Sequence, residues 1–138
     1  MSEKQPITDW LGLGISNSEL RMLEVIERGI PISIVNRLRR LGLSQSEIDS
    51  LVISRRALQR HCSRREKLSS DESDRLVRVM RLLSHAEDVF GSRERALAWL
   101  RRPRKRLRNM APLQLLRTDA GGRAVEEVLF QIEHGMFV

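Results

Sequence analysis

WLRRPRKRLRNMAPLQLLRTDAGGRAVEEVLFQIEHGMFV, residues Trp99 to Val138, leaves the backbone few choices. Pro103 must end any helix that carries Trp99 and Leu100, because proline lacks an N–H and its ring clashes with the preceding turn. Pro112 suits the first position of a short helix running through Leu116, where its missing N–H would have no partner anyway. Thr118 fits the N-cap of a final helix, with Asp119 near its positive end. Along that helix Val125, Val128, Leu129 and Ile132 fall at i, i+3, i+4 and i+7, one buried stripe. Leu115 and Leu116 read as the staple between the Pro112 turn and this helix, and Gly135 as the left-handed residue that ends it. Three short helical pieces are therefore expected to fold onto Trp99.

The order Trp-Leu, Pro, Leu, Pro-x-x-Leu-Leu-x-Thr, Gly, then a Val/Leu helix ending near a glycine resembles the C-terminal toxin-binding domain of Xre/MbcA/ParS-type antitoxins. The likeness is carried by Ala96, Trp99, Leu100, Pro103, Leu107, Pro112, Leu115, Leu116, Thr118, Gly121 or Gly122, Val125, Leu129, Ile132 and Gly135. Asn109 departs from it, standing where the family usually has glycine, and so does Glu133-His134, where an aromatic residue before the glycine is common. The resemblance implies a small bacterial antitoxin whose C-terminal region covers the NAD pocket of a RES-domain toxin. In this chain the exposed candidates for that contact are Arg117, Arg123, Glu126, Glu127, His134, Met136, Phe137 and Val138. The apolar end Met136-Phe137-Val138 either folds back on the core or inserts into a partner.

Toward the N-terminus, Ser92 caps a helix that delivers Ala96, Trp99 and Leu100 to the tail. Ser69 with Glu72 forms a capping box that opens the longest helix, in which Leu76, Val79, Met80, Leu83, Ala86 or Glu87, and Phe90 keep helical spacing and Gly91 makes the stop. Arg75, Arg78 and Arg81 fall on its polar side. Its apolar stripe is expected to pack mostly in the core, with a dimer surface as a further use.

Residues 41–65 read LGLSQSEIDSLVISRRALQRHCSRR. Ser44 caps a short helix with Ile48, Leu51 and Val52 inward. Ser54 caps a second with Leu58 and either Ala57 or Cys62 inward. Two short helices across a tight turn, the second dense in Arg and Gln, form a helix-turn-helix pattern. In that arrangement the second helix enters the major groove while the first crosses the backbone. Arg55, Arg56, Gln59 and Arg60 would lie on its outer face beside the Ser54 cap, where Arg can read guanine and Gln adenine by paired hydrogen bonds. Gln45 is placed to hold a phosphate. An ordinary helical hairpin with a basic face is the plainer reading, and Val52-Ile53 stands where such turns often have glycine. The family resemblance favours DNA binding, because these antitoxins carry an Xre-like helix-turn-helix here. Further upstream, Ser16 with Glu19 is another capping box, followed by Leu20, Leu23, Val25 and Ile26 and a stop at Gly29. Pro31 opens a helix with Ile34, Val35, Leu38 and Leu41, ended by Gly42. Residues 1–15 read as an arm.

Charge is unevenly spread. Residues 1–53 carry a net charge of −1, residues 54–108 of +10 and residues 109–138 of −2. Basic charge confined to the middle points to a polyanion such as DNA, against a merely solvated Arg-rich surface. The octad RRPRKRLR, Arg101 to Arg108, is read as a solvated loop, with phosphate or acidic toxin contacts as alternatives. No apolar run approaches the roughly 20 residues that span a bilayer, and MSEKQPITDW lacks a signal-peptide core, so a cytoplasmic protein is expected. Cys62, the only cysteine, cannot form an internal disulfide.

No catalytic set is legible. Gly121-Gly122 has no preceding strand and no following Gly-Lys-Ser/Thr. Cys62 with three scattered histidines lacks zinc spacing, and His61, His85 and His134 suit surface or cap roles. The expectation is an all-α, non-enzymatic protein without metal or cofactor. It comprises an arm (1–15), an Xre-like helix-turn-helix domain (16–91) and a toxin-binding domain (92–138). Its expected partners are a RES-domain toxin, operator DNA and a second copy of itself. A plain helix-turn-helix regulator without a toxin is the alternative, and an interaction module that has lost DNA binding is a third reading.

Overall fold

The computed structural model describes residues 19–136. The arm, the Ser16 capping box, Phe137 and Val138 lie outside the described residues. In chain order the helices are α1 (Glu19–Arg28), a 3-10 turn (Ile32–Ile34), α2 (Val35–Arg40), α3 (Gln45–Leu51), α4 (Arg55–Arg64), α5 (Ser70–Phe90), α6 (Arg93–Leu100), a second 3-10 turn (Lys105–Leu107), α7 (Pro112–Leu115) and α8 (Asp119–Glu133). Among the described residues the sole strand-like pairing is an isolated bridge between Arg104 and Met110, so the fold is all-α.

Local chemistry sets most helix ends. Ser44, Ser54, Ser69, Ser92 and Thr118 each accept a hydrogen bond from the backbone N–H three residues on, a cap worth about 1 kcal/mol. Glu47 and Glu72 close the first and third of these into capping boxes. Pro112 opens α7, and Gln114 turns back to accept from the Ala111 N–H at 3.1 Å. At the end of α8 the N–H groups of Gly135 and Met136 donate to the carbonyls of Ile132 and Gln131 at 3.1 and 2.9 Å, a Schellman closure.

Helix α5 is the axle. Leu76, Val77, Val79, Met80, Leu82, Leu83 and Ala86 are all buried along it, and α1, α6 and α8 pack around it. One cluster joins Ile48 and Leu51 of the helix-turn-helix to Leu100, Leu116, Val125 and Leu129 of the tail. The two halves thus share a core, and the apolar stripe of α5 is used inside the chain. The buried Ser73 hydroxyl accepts from the Ile30 N–H at 2.9 Å, tying the turn after α1 to α5.

Several expectations are corrected by packing. In α1 the inner stripe is Met22, Val25, Ile26 and Gly29, spaced i, i+3, i+4 and i+7, which leaves Leu20 and Leu23 exposed at 71 and 48 %. Trp99 is half-buried at the rim, its ring tilted by 34° against Phe90 with centroids 5.3 Å apart, while its neighbour Leu100 is fully buried. The tail pieces therefore close over Leu100 more than over Trp99. Arg75, Arg78 and Arg81 are half-buried rather than fully solvated, because their stems lie along the packed surface while the charged heads find partners. Cys62 is exposed, and the inner side of α4 is formed by half-buried Ala57, Leu58 and His61.

Candidate functional site

Two faces carry the residues singled out from the sequence. The first is built by α3 and α4. Ser54, Arg55, Arg56, Gln59 and Arg60 are all exposed, and α4 has no fully buried residue. Its position comes from its ends. The Arg55 N–H donates to Asp49 Oδ1 at 2.8 Å, and Gln45 Nε2 donates to the same oxygen at 3.4 Å. Gln45 in turn accepts from Arg39. Gln45 is therefore half-buried in a chain that links α2, α3 and α4, and Arg39, passed over in the sequence, is part of the same surface. The turn lacks glycine because Val52 and Ile53 fill the core, at 2 and 3 % exposure. Arg75 closes the turn, donating from Nε to the Val52 carbonyl at 3.0 Å.

The basic octad is more structured than a solvated loop. Arg101 grips Glu47 through two 2.9 Å hydrogen bonds and the Gly42 carbonyl through one of 2.7 Å, which pins the tail to the start of α3. Burial pushes the Glu47 carboxyl up, but the hydrogen bonds from Arg101 and from the Ser44 N–H outweigh it, and its pKa lies below the ordinary value. The Glu47 hydrogen bond raises the pKa of Arg101. Arg104 lies over the Trp99 ring at 5.2 Å and donates to the Trp99 carbonyl at 3.1 Å. Burial, then the charge of Arg102, lowers its pKa. Arg102, Pro103, Lys105, Arg106 and Arg108 are exposed. Arg108 and Asn109 both adopt left-handed backbone, φ 56 and 61°. This explains the Asn109 departure: the position wants glycine, and Asn is the side chain that tolerates it best.

The second face is the outer side of α7 and α8. Gly121 makes their junction possible, since a Cβ there would lie 1.9 Å from the Leu115 carbonyl oxygen. Gly122 lies under the stem of Arg78, whose Nη1 donates to the Leu116 and Arg117 carbonyls at 3.2 and 3.4 Å. Leu116 is fully buried and Leu115 half-buried. Arg117, Arg123, Glu126, Glu127 and His134 are exposed, and Arg123 pairs with Asp119 at 2.9 Å. Met136 is 61 % exposed. Sequence reasoning missed Phe130, which is 50 % exposed and packs on the His134 ring at 4.2 Å. The signal was present. Helical spacing puts Arg123, Glu127, Phe130 and His134 on one outer face, opposite Val125 and Leu129. No group of three or more His, Cys, Asp or Glu among the described residues is placed to hold a metal. No helix among them is long and apolar enough to cross a membrane.

Residues 21–81 match the model of the antitoxin Xre-like helix-turn-helix domain, and residues 85–135 match that of the antitoxin Xre/MbcA/ParS C-terminal toxin-binding domain. The chain is 30 % identical to an Antitoxin Xre of Photorhabdus laumondii over 131 residues, 92 % of this chain and 88 % of that protein. It is 40 % identical to an Antitoxin Xre of Pseudomonas putida over 84 residues, 61 % of this chain and 53 % of that protein. A Prs ADP-ribosylating antitoxin of a Sphingobium species is 27 % identical over 131 residues, 87 % of this chain and 82 % of that protein.

Proposed function

This chain belongs to the Xre/MbcA/ParS antitoxin family, and from that premise we propose that it neutralises a RES-domain toxin and represses its own operon. Residues 92–138 bind the toxin over its NAD pocket, and residues 16–91 bind operator DNA as a homodimer. The observation that carries the toxin contact is the division of labour on α8. The helix buries Val125 and Leu129 inside the chain yet leaves Phe130 open against the His134 ring, with Met136 exposed just past the helix end. An exposed aromatic residue among polar neighbours is the composition of an interface anchor. The DNA contact is supported by the exposed Arg55, Arg56, Gln59 and Arg60 on a helix whose own core contribution is slight. In a dimer two such helices would read half-sites about 34 Å apart.

The test is growth of cells expressing each adjacent reading frame, alone and with this chain. Wild type should relieve the arrest and restore cellular NAD. Phe130→Asp, which changes an exposed side chain, should fail to relieve it while remaining folded and abundant. Relief by Phe130→Asp equal to wild type would remove α8's outer face from the toxin contact. The Sphingobium relative supports a second reading, in which the toxin transfers ADP-ribose to a protein. Arrest accompanied by an ADP-ribosylated protein would select this reading, and NAD loss without one would select the first.

A further inference from the structure

The reading helix α4 poses a mechanical question. Among the described helices it alone buries no side chain fully, yet groove recognition needs its side chains held in a fixed register. Its N-terminal end is tied to Asp49 through the Arg55 N–H. Its middle rests on half-buried Ala57 and Leu58. Near its C-terminal end the inner residue is His61. Nε2 of His61 lies 2.9 Å from Glu72 Oε1, and both side chains are 13 % exposed. That carboxylate oxygen also accepts from the Ser69 N–H at 2.7 Å, as part of the capping box that starts α5. Glu72 is therefore already fixed by the axle of the fold, and His61 is the group through which α4 reaches it.

The imidazole makes one hydrogen bond with the protein. Nδ1 is buried without a hydrogen-bond partner, the nearest carboxylate oxygen being Glu66 Oε1 at 3.9 Å. The Glu72 carboxylate oxygen can only accept, so Nε2 supplies the N–H of this hydrogen bond. The Glu66 N–H donates to the His61 carbonyl at 2.9 Å, and Arg65 takes left-handed backbone, φ 55°, so α4 ends just beyond this contact.

We propose that His61 is the positioning residue of the reading helix: its Nε2–H, held by Glu72, locks α4 to α5 and thereby sets the presentation of Arg55, Arg56, Gln59 and Arg60. It touches no DNA itself. The effect on affinity rests on the DNA-binding reading above, whereas the lock is a property of the free protein and is tested separately.

Three substitutions separate donor from bulk. His61→Gln keeps a donor at the Nε2 distance, His61→Asn places its amide at the Nδ1 distance and falls short, and His61→Leu keeps apolar volume with no donor. Two readouts are taken on the full chain. One is hydrogen exchange of the α4 amides relative to α5. The other is binding to a duplex from immediately upstream of the chain's own reading frame, with a scrambled duplex as reference. His61→Leu and His61→Asn should speed α4 exchange while α5 stays protected, and weaken specific binding about tenfold by lowering the seated fraction. His61→Gln should restore both. Equal behaviour of Gln, Asn and Leu in exchange would overturn the lock, as would wild-type exchange in all three. Altered α4 exchange rescued by Gln, with no specific binding even by wild type, would confirm the lock and reject the DNA reading.

Discussion

Single residues in this chain are constrained by close approach as much as by chemistry. Gly121 is the sharpest case. The Pro112–Leu115 turn and the first turn of α8 meet so tightly that the Leu115 carbonyl occupies the place of a Cβ. Gly121→Ala should therefore cost at least about 2 kcal/mol in urea unfolding. A wild-type midpoint in the Ala variant would show that the junction yields. Sequence alone marked Gly121 or Gly122 without choosing, because a helical glycine carries no local sign of what lies against it. Phe130 illustrates the converse. Its spacing already put it outside the buried stripe, but exposure at a given position depends on how far the neighbouring helices wrap around α8.

At the scale of elements, α4 is a helix specialised for its surface. Arg55→Ala with Arg56→Ala should leave thermal stability within about 0.5 kcal/mol of wild type, since both side chains are exposed. The same pair should weaken operator binding by about 1–3 kcal/mol per lost bidentate contact. Unchanged binding would favour a module that has lost DNA recognition. Helix α3 carries a pH-dependent link. Glu47 is held below the ordinary carboxylate pKa by the hydrogen bonds from Arg101 and Ser44, which outweigh its burial. A depressed folded-state pKa adds stability that is present above the unfolded value and is lost as pH falls through the folded one. Glu47→Gln should thus be less stable than wild type at neutral pH, with the gap closing as pH falls below the ordinary carboxylate range. A gap constant with pH would mean that the Arg101 pair contributes nothing to folding. The capped helices were legible because each cap is a local contract between a side chain and a backbone N–H three residues away. The octad was not, because Arg101 and Glu47 are 54 residues apart.

At the scale of the molecule, the helix-turn-helix half and the C-terminal half are riveted to one helix. Arg75 holds the end of α3 and Arg78 the end of α7, three residues apart on α5. Because one cluster of buried side chains runs through both halves, unfolding should be a single transition, coincident by far-UV circular dichroism and by fluorescence. Arg78→Ala should keep that single transition while costing roughly 2 kcal/mol, as two carbonyls lose a charged donor. Two separated transitions in the wild type would contradict the shared core.

Periodicity, prolines and caps, which act over one or two turns, were enough to specify an all-α chain, its main helix boundaries, the exposed basic helix and the folded tail. The same local rules placed Val125 and Leu129 inside and Arg55 and Arg56 outside. They were silent on which arginines serve as clamps, on the seat of His61 against Glu72, and on the choice of Leu100 over Trp99 as the buried anchor. Those outcomes depend on groups far apart in sequence competing for the same buried space and the same carbonyls. Such competition is resolved when α5 gathers the other helices around it, and has no counterpart in the spacing of the residues along the chain.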